Sequence, residues 1–248
     1  MKGGTMNTHI VADMITEKLK KEIGMITKPF PEELKMLEAE VPRELVPTGG
    51  KVRMEASLYQ ADKIKKLTFL KNKMGEISAG SVVMIAPDDE YELPFIIVDV
   101  TFWSLEKDKI FTEFDANPLI KDDKSMKEYS EFHKWREEIS KLPSEPITGL
   151  PEPGEFLKAC LSTINYLGFI PGDYSNEVLN LTNKFFDIFI NFYLRARPVE
   201  DIERRKKMDA FRSEYNQHVL DEDPSGLMLI NAFGREKAQL FYEHLVNL

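Results

Sequence analysis

Hydrophobic and polar positions along this chain change period twice. Val11, Met14, Ile15, Leu19 and Ile23 recur at helical spacing, so the N-terminal segment reads as an amphipathic helix ending near Gly24. KPFPEELKMLEAEV, with Pro31 at a first helical position, reads as a second short helix. From about Val52 the segments become short and rich in β-branched and aromatic residues. VRMEASLYQ, KIKKLTFLKNK, GSVVMIAP, LPFIIVDVTFW and DKIFTEFDANPL are separated by turn-forming Gly, Pro, Asn and Asp. Connections this short suit consecutive antiparallel strands and leave no room for parallel crossovers. From about Ser125 the pattern is helical again. KSMKEYSEFHKWREEISKL reads as one helix and SEPITGLPEPGE as a connector. GEFLKACLSTINYLGF, SNEVLNLTNKFFDIFINFYLRAR, VEDIERRKKMDAFRSEYNQHVL and GREKAQLFYEHLVNL read as further helices, and the Phe-rich SNEV segment is apolar around most of its circumference. The sum is an α+β sandwich: one central antiparallel sheet over about residues 52–117, flanked by helices from both termini.

One position breaks the strand pattern. In LPFIIVDVTFW, Ile96, Val98, Val100 and Phe102 share one face, and that set is uniformly apolar, as a face packed on helices requires. Phe95, Ile97, Asp99, Thr101 and Trp103 share the other. A carboxylate on such a face needs partners, or its pKa rises until it holds a proton near neutral pH. The bland alternative is an edge-strand acid in water or one bound by an Arg. The next strand repeats the theme, with Glu113 and Asp115 facing opposite to Thr112 and Phe114. Asp-Ala-Asn-Pro is also good turn chemistry, which gives these two less weight than Asp99.

Composition narrows the classes. With 42% hydrophobic and 30% charged residues, the 248-residue chain is of ordinary globular type, large enough for one domain or two small ones. No apolar run reaches the roughly 20 residues that span a bilayer, so no membrane partner is expected. MKGGTMNTHIVADM lacks a signal-like apolar region, which makes the cytoplasm the expected compartment. A single cysteine, Cys160, excludes an internal disulfide, and four scattered histidines offer no metal-ligand spacing. A net charge of −9 argues against nucleic acid. An acidic ligand would need a local basic cluster, and two runs qualify: Lys63, Lys65, Lys66, Lys71 and Lys73, and Arg204, Arg205, Lys206 and Lys207.

Two blocks resemble a known family. Glu90, Tyr91, Leu93 and Pro94, followed by Asp99 and then a strand ending FDANPL, are similar to the ferredoxin-dependent bilin reductases. DEDPSGLMLINAFGREKAQLFYEHLVNL is similar to their closing pattern, with Ala232, Phe233 and Gly234 matching an Ala-Phe-Gly element and Asp223 a preceding Asp. Together the blocks cover about a quarter of the chain. The resemblance implies a single domain over residues 1–248 with a three-layer α/β/α sandwich. It also implies biliverdin bound between sheet and C-terminal helices, and reduction to a phytobilin by single electrons from reduced ferredoxin with no tightly bound cofactor. Asp99 then matches the family's buried sheet acid and protonates the substrate. Tyr91, Val82 and Leu70 fall among the substrate-contacting positions. Where phycocyanobilin-forming members carry a His and a Glu, this chain has Val82 and Leu70, so the resemblance does not extend to proton delivery to the D-ring vinyl group by that route. Glu222 stands at the position of a functional Asn or Asp, with Asp223 beside it. A sheet acid paired with one from this loop resembles members that reduce the A-ring diene. The resemblance further implies ferredoxin as partner and a haem oxygenase as upstream enzyme. The alternatives are a tetrapyrrole-binding module without catalysis, and a reductase of another linear tetrapyrrole such as a chlorophyll catabolite.

Overall fold

The computed structural model describes residues 9–41, 50–75, 78–104, 108–147 and 152–248. The first eight residues, on which the expectation of a missing signal segment partly rests, lie outside this set, as does the middle of the Pro-rich connector. The elements run α1 (Ile10–Ile23), β1 (Ile26–Thr27), α2 (Glu32–Lys35), β2 (Met36–Val41), β3 (Gly50–Ala61), β4 (Ile64–Met74), β5 (Ser78–Pro87), β6 (Phe95–Ser104) and β7 (Asp108–Asn117). Then follow α3 (Asp123–Glu128), α4 (Ser130–Ile139), α5 (Glu155–Cys160), β8 (Tyr166–Pro171), α6 (Ser175–Arg195), α7 (Ile202–Glu222), α8 (Pro224–Phe233) and α9 (Arg235–Leu245).

All eight strands form one antiparallel sheet in the order β1-β3-β4-β5-β6-β7-β8, with β2 pairing along the same edge of β3 as β1. The five strands expected between about 52 and 117 are present, but the sheet reaches further at both ends. Only Glu32–Lys35 of the second expected helix is helical. MLEAEV instead pairs with Gly50–Glu55, which satisfies an edge of β3 that would otherwise be open. Likewise GEFLKACLSTINYLGF stops being helical at Cys160. Tyr166–Pro171 pairs with β7, its buried positions alternating as a strand with one covered face requires. The segment expected as one helix after Ser125 is two, meeting at Tyr129, whose backbone (φ −83°, ψ 12°) leaves the helical region. PSGLMLINAF forms a helix that periodicity did not announce; it starts where the Asp223 carboxylate accepts the Ser225 N–H ahead of Pro224.

Helices cover both sides of the sheet. On one side α1, α4 and α6 bury Val83, Ile85, Ile96, Val98 and Val100 in a core that includes Phe132, Trp135, Phe185 and Phe189. On the other side α7, α8 and α9 pack against Leu70, Met84, Phe95 and Leu119 through Met208, Tyr215, Leu229, Phe241 and Tyr242. Lysines tie the helices to the sheet. Lys63 on the turn into β4 donates to the carbonyls of Tyr193 (2.8 Å) and Ala196 (3.0 Å) at the end of α6. Lys66 donates to Glu243 (3.1 Å) and Asn247 (2.6 Å) at the end of α9, where helix carbonyls lack intrahelical partners.

Candidate active site

Residues directly opposite each other in an antiparallel sheet share a face, with Cβ atoms about 4.5–5.5 Å apart. Ala56, Leu70, Val82, Asp99, Glu113 and Leu167 are such partners in succession from β3 to β8. Three residues singled out from sequence, Leu70, Val82 and Asp99, are therefore immediate neighbours in one row. The row lies on the side covered by α7–α9, since Leu70 and Val82 pack into that cluster. Leu70 is buried, whereas Val82, Asp99 and Glu113 keep partial exposure between buried neighbours such as Val83, Val98 and Phe114. The helices thus leave the middle of the row partly accessible.

Asp99 is held by its own strand. The Thr101 hydroxyl, two residues on and on the same face, donates to Asp99 Oδ1 at 2.6 Å. Desolvation pushes the Asp99 carboxyl up to about 7, and the Thr101 bond opposes that rise because it favours the charged form. Thr101 is itself buried, and its cross-strand partner is Gly80. A Cβ at Gly80 would overlap the Thr101 side chain, so the bare backbone there is what lets Thr101 sit against Asp99.

The acids on β7 belong to the same surface. Burial, then the charges of Asp99, Asp223 and Asp115, push Glu113 up to about 8. Asp115, two residues along and only 2% exposed, accepts a hydrogen bond from the Ser162 hydroxyl. Burial raises it to about 6 against the pull of Ser162 and Lys121. From the helical side Asp223 approaches at the junction of α7 and α8. Its Oδ1 accepts the Ser225 N–H and its Oδ2 the Tyr242 hydroxyl, each at 2.8 Å, and burial holds this carboxyl above its ordinary range. Tyr215 of α7 faces the same group: burial, then the charges of Asp223 and Glu113, keep its phenol neutral well above the usual range. Tyr242 is held high in the same way. Acids whose pKa values burial raises toward neutrality beside apolar side chains are suited to exchange protons rather than to bind a cation. Among the described residues no group of three or more His, Cys, Asp and Glu is arranged to hold a metal, and no helix is long and apolar enough to cross a membrane.

Other expected site residues lie elsewhere. Glu222 turns away from the row: its Oε2 accepts the N–H groups of Phe156 (2.8 Å) and Leu157 (3.1 Å), and its Oε1 lies 3.0 Å from His218 Nδ1. It thus serves as the missing N-cap of α5, whose own Gly154 supplies no side chain. Of the two adjacent acids it is Asp223 that stands with Glu113. Tyr91 is also remote, because the β5–β6 loop forms a bridge to Pro198 and packs the ring against the α1/α4/α6 core, with Lys63 5.8 Å from its centroid. The basic runs are largely committed to the fold. Lys63 and Lys66 end helices, Lys65 meets Asp89, and Lys71 meets Asp13. Arg204 is enclosed by Glu92, Asp122 (2.7 Å) and Ser125 (2.9 Å), which holds the Asp122 carboxyl far below its ordinary range. Arg205 donates to the Val199 carbonyl.

A cluster of buried acids with raised pKa values on one face of an antiparallel sheet, under a helical layer, invites comparison with known proteins. Phytochromobilin synthase from tomato, solved in complex with biliverdin, superposes with a TM-score of 0.72 over 92% of this chain and 78% of that one, at 16% identity, a likeness of fold. The 15,16-dihydrobiliverdin:ferredoxin oxidoreductases of Gloeobacter violaceus and Nostoc punctiforme are 22% and 23% identical over 192 and 186 residues. These alignments cover 75% and 74% of this chain, and 75% and 73% of theirs. The family model described as ferredoxin-dependent bilin reductase matches residues 12–246, nearly the whole described fold, and the chain therefore belongs to the ferredoxin-dependent bilin reductases.

Proposed function

We propose that this protein reduces a biliverdin-type open-chain tetrapyrrole, bound between the Asp99 face of the sheet and α7–α9, with electrons from ferredoxin and Asp99 as the principal proton donor. The observation that carries the reading is the row Leu70, Val82, Asp99, Glu113, where a carboxyl poised near neutral pH sits among apolar side chains. Each electron added to a bilin in such a setting needs a proton, since an anionic radical away from water is poorly stabilised. Asp99 supplies it from the sheet side. Asp223, fixed by Tyr242 and Ser225, stands on the helical side as the second acid of the site.

The apolar Leu70 and Val82 favour a reaction that spares the D-ring vinyl group. Reduction of the A-ring diene of 15,16-dihydrobiliverdin, or of biliverdin itself, fits that restriction, and the names of the two bacterial relatives point to the former as first substrate to try. The test is an anaerobic assay with reduced ferredoxin and each bilin in turn, followed by absorbance and product chromatography. Wild-type protein is expected to consume one of them. Asp99→Asn is expected to bind the bilin but turn it over about 10²- to 10⁴-fold more slowly, the usual contribution of a positioned general acid. An unchanged spectrum of a bound bilin in wild-type protein would instead favour a binding module, and full activity in Asp99→Asn would remove the assigned role.

A further inference from the structure

Reduction of one double bond consumes two electrons and two protons, and a single carboxyl gives one proton before it must be refilled. We propose that Glu113 is the proton-relay partner of Asp99, returning a proton to the Asp99 carboxylate between the two electron transfers. The proposal rests on the reading of the site given above. Glu113 is the directly opposed cross-strand neighbour of Asp99, on the same face, and its side chain is one methylene longer. Asp99 Oδ1 is taken by Thr101, and among the described residues Oδ2 has no hydrogen-bond partner.

The groups that face Glu113 leave it the uncommitted acid. Along its own strand Asp115 is tied to Ser162. From α7, α8 and α9 come Tyr215, a neutral phenol, Asp223, engaged by Ser225 and Tyr242, and Tyr242 itself. From β8 the neighbour is the apolar Leu167. Glu113 makes no hydrogen bond to any described residue and is partly exposed, so it can reach both Asp99 and solvent. Its carboxyl, pushed up to about 8, is protonated at neutral pH when Asp99 has just lost its proton.

The steps balance. With the first electron from reduced ferredoxin, the Asp99 O–H bond breaks and a bond from hydrogen to the tetrapyrrole forms. The Glu113 O–H bond then breaks as Asp99 O–H re-forms. The second electron and second proton complete the dihydro product, and solvent refills both acids.

The experiment delivers reduced ferredoxin one electron equivalent at a time, anaerobically, to protein loaded with biliverdin or 15,16-dihydrobiliverdin, and follows the bilin radical by absorbance. Glu113→Gln is expected to form the first radical within about twofold of the wild-type rate. It should consume that radical at least about tenfold more slowly, with the pH dependence of this second step altered. Glu113→Asp, a shorter acid, is expected to fall between the two, and it is the variant to read if Glu113→Gln does not bind bilin. Wild-type kinetics and pH profile in Glu113→Gln would overturn the relay, as would equal slowing of both steps in both variants, which is the mark of a structural role. Wild-type protein that reduces neither bilin would overturn the underlying reading and the relay with it.

Discussion

The two faces of the sheet are made from the same strands and are opposite in kind. Toward α1, α4 and α6, residues from neighbouring strands such as Val83, Val98 and Phe114 are fully covered and uniformly apolar. Toward α7–α9, one residue over on the same strands, stand Val82, Asp99 and Glu113, partly exposed and carrying two carboxyls that burial drives toward neutrality. The period-two geometry of a strand allows this, because neighbouring residues answer to different surroundings. One face supplies stability that the other gives up, since an acid desolvated without a cationic partner costs folding free energy.

The sharpest way to break the comparison is to damage the apolar face alone. Phe185 is fully buried, with ring contacts to Phe114, Phe132, Trp135 and Phe186. Phe185→Ala is expected to lower the unfolding free energy by about 3–5 kcal/mol in a urea titration while leaving turnover per folded molecule within about twofold of wild type.

A second prediction concerns pH. Asp99, Asp115 and Glu113 carry folded-state pKa values of about 7, 6 and 8, above the 3.8–4.5 of exposed carboxyls. Between about pH 4 and 8 the folded protein therefore binds more protons than the unfolded chain, and stability falls as pH rises. Thermal unfolding should show the melting temperature rising as pH is lowered from 8.5 to about 5. Asp99→Asn should flatten part of that slope and be the more stable protein at pH 8.5. Asp122 on the other hand, held low by Arg204, contributes stability that is lost only below about pH 4.

The smallest expected effect sharpens the acid face itself. Thr101→Val removes a hydrogen bond that favours the charged form of Asp99. It should move the corresponding limb of the pH–rate profile upward by about one unit, in keeping with about 1.5 kcal/mol for a hydrogen bond to a charged group. An unmoved profile would mean that Thr101 does not tune Asp99.

What the sequence displayed and what it hid follow from range. β3 to β7 were legible because each carries its own alternation and turn residues, and Asp99 because it is the one acid in an apolar run. β2 and β8 were hidden in helix-like strings: MLEAEV and YLGFIP are strands because β3 and β7 offer them partners, which local periodicity does not express. Glu113 and Asp115 carry less weight in the sequence because Asp-Ala-Asn-Pro is also turn chemistry, although β7 continues through Asn117 and carries both acids onto the face of Asp99. The choice between Glu222 and Asp223 turns on which carboxylate a short helix needs as its cap, a contact between residues 66 positions apart. Tyr215 and Tyr242 carried no local mark at all, since only the packing of α7 and α9 brings their phenols to the acids.

The row that crosses the sheet also bears on how such an enzyme can change its product. Its members come from separate strands, so each is reached by a substitution that leaves the other members in place. A titratable side chain introduced at Val82 would stand beside Asp99, and one at Leu70 a strand further along, with the opposite face unaware of either. On the proposed reading of the site, the acid-base groups along this row are therefore set strand by strand, separately from the apolar face that holds the fold together.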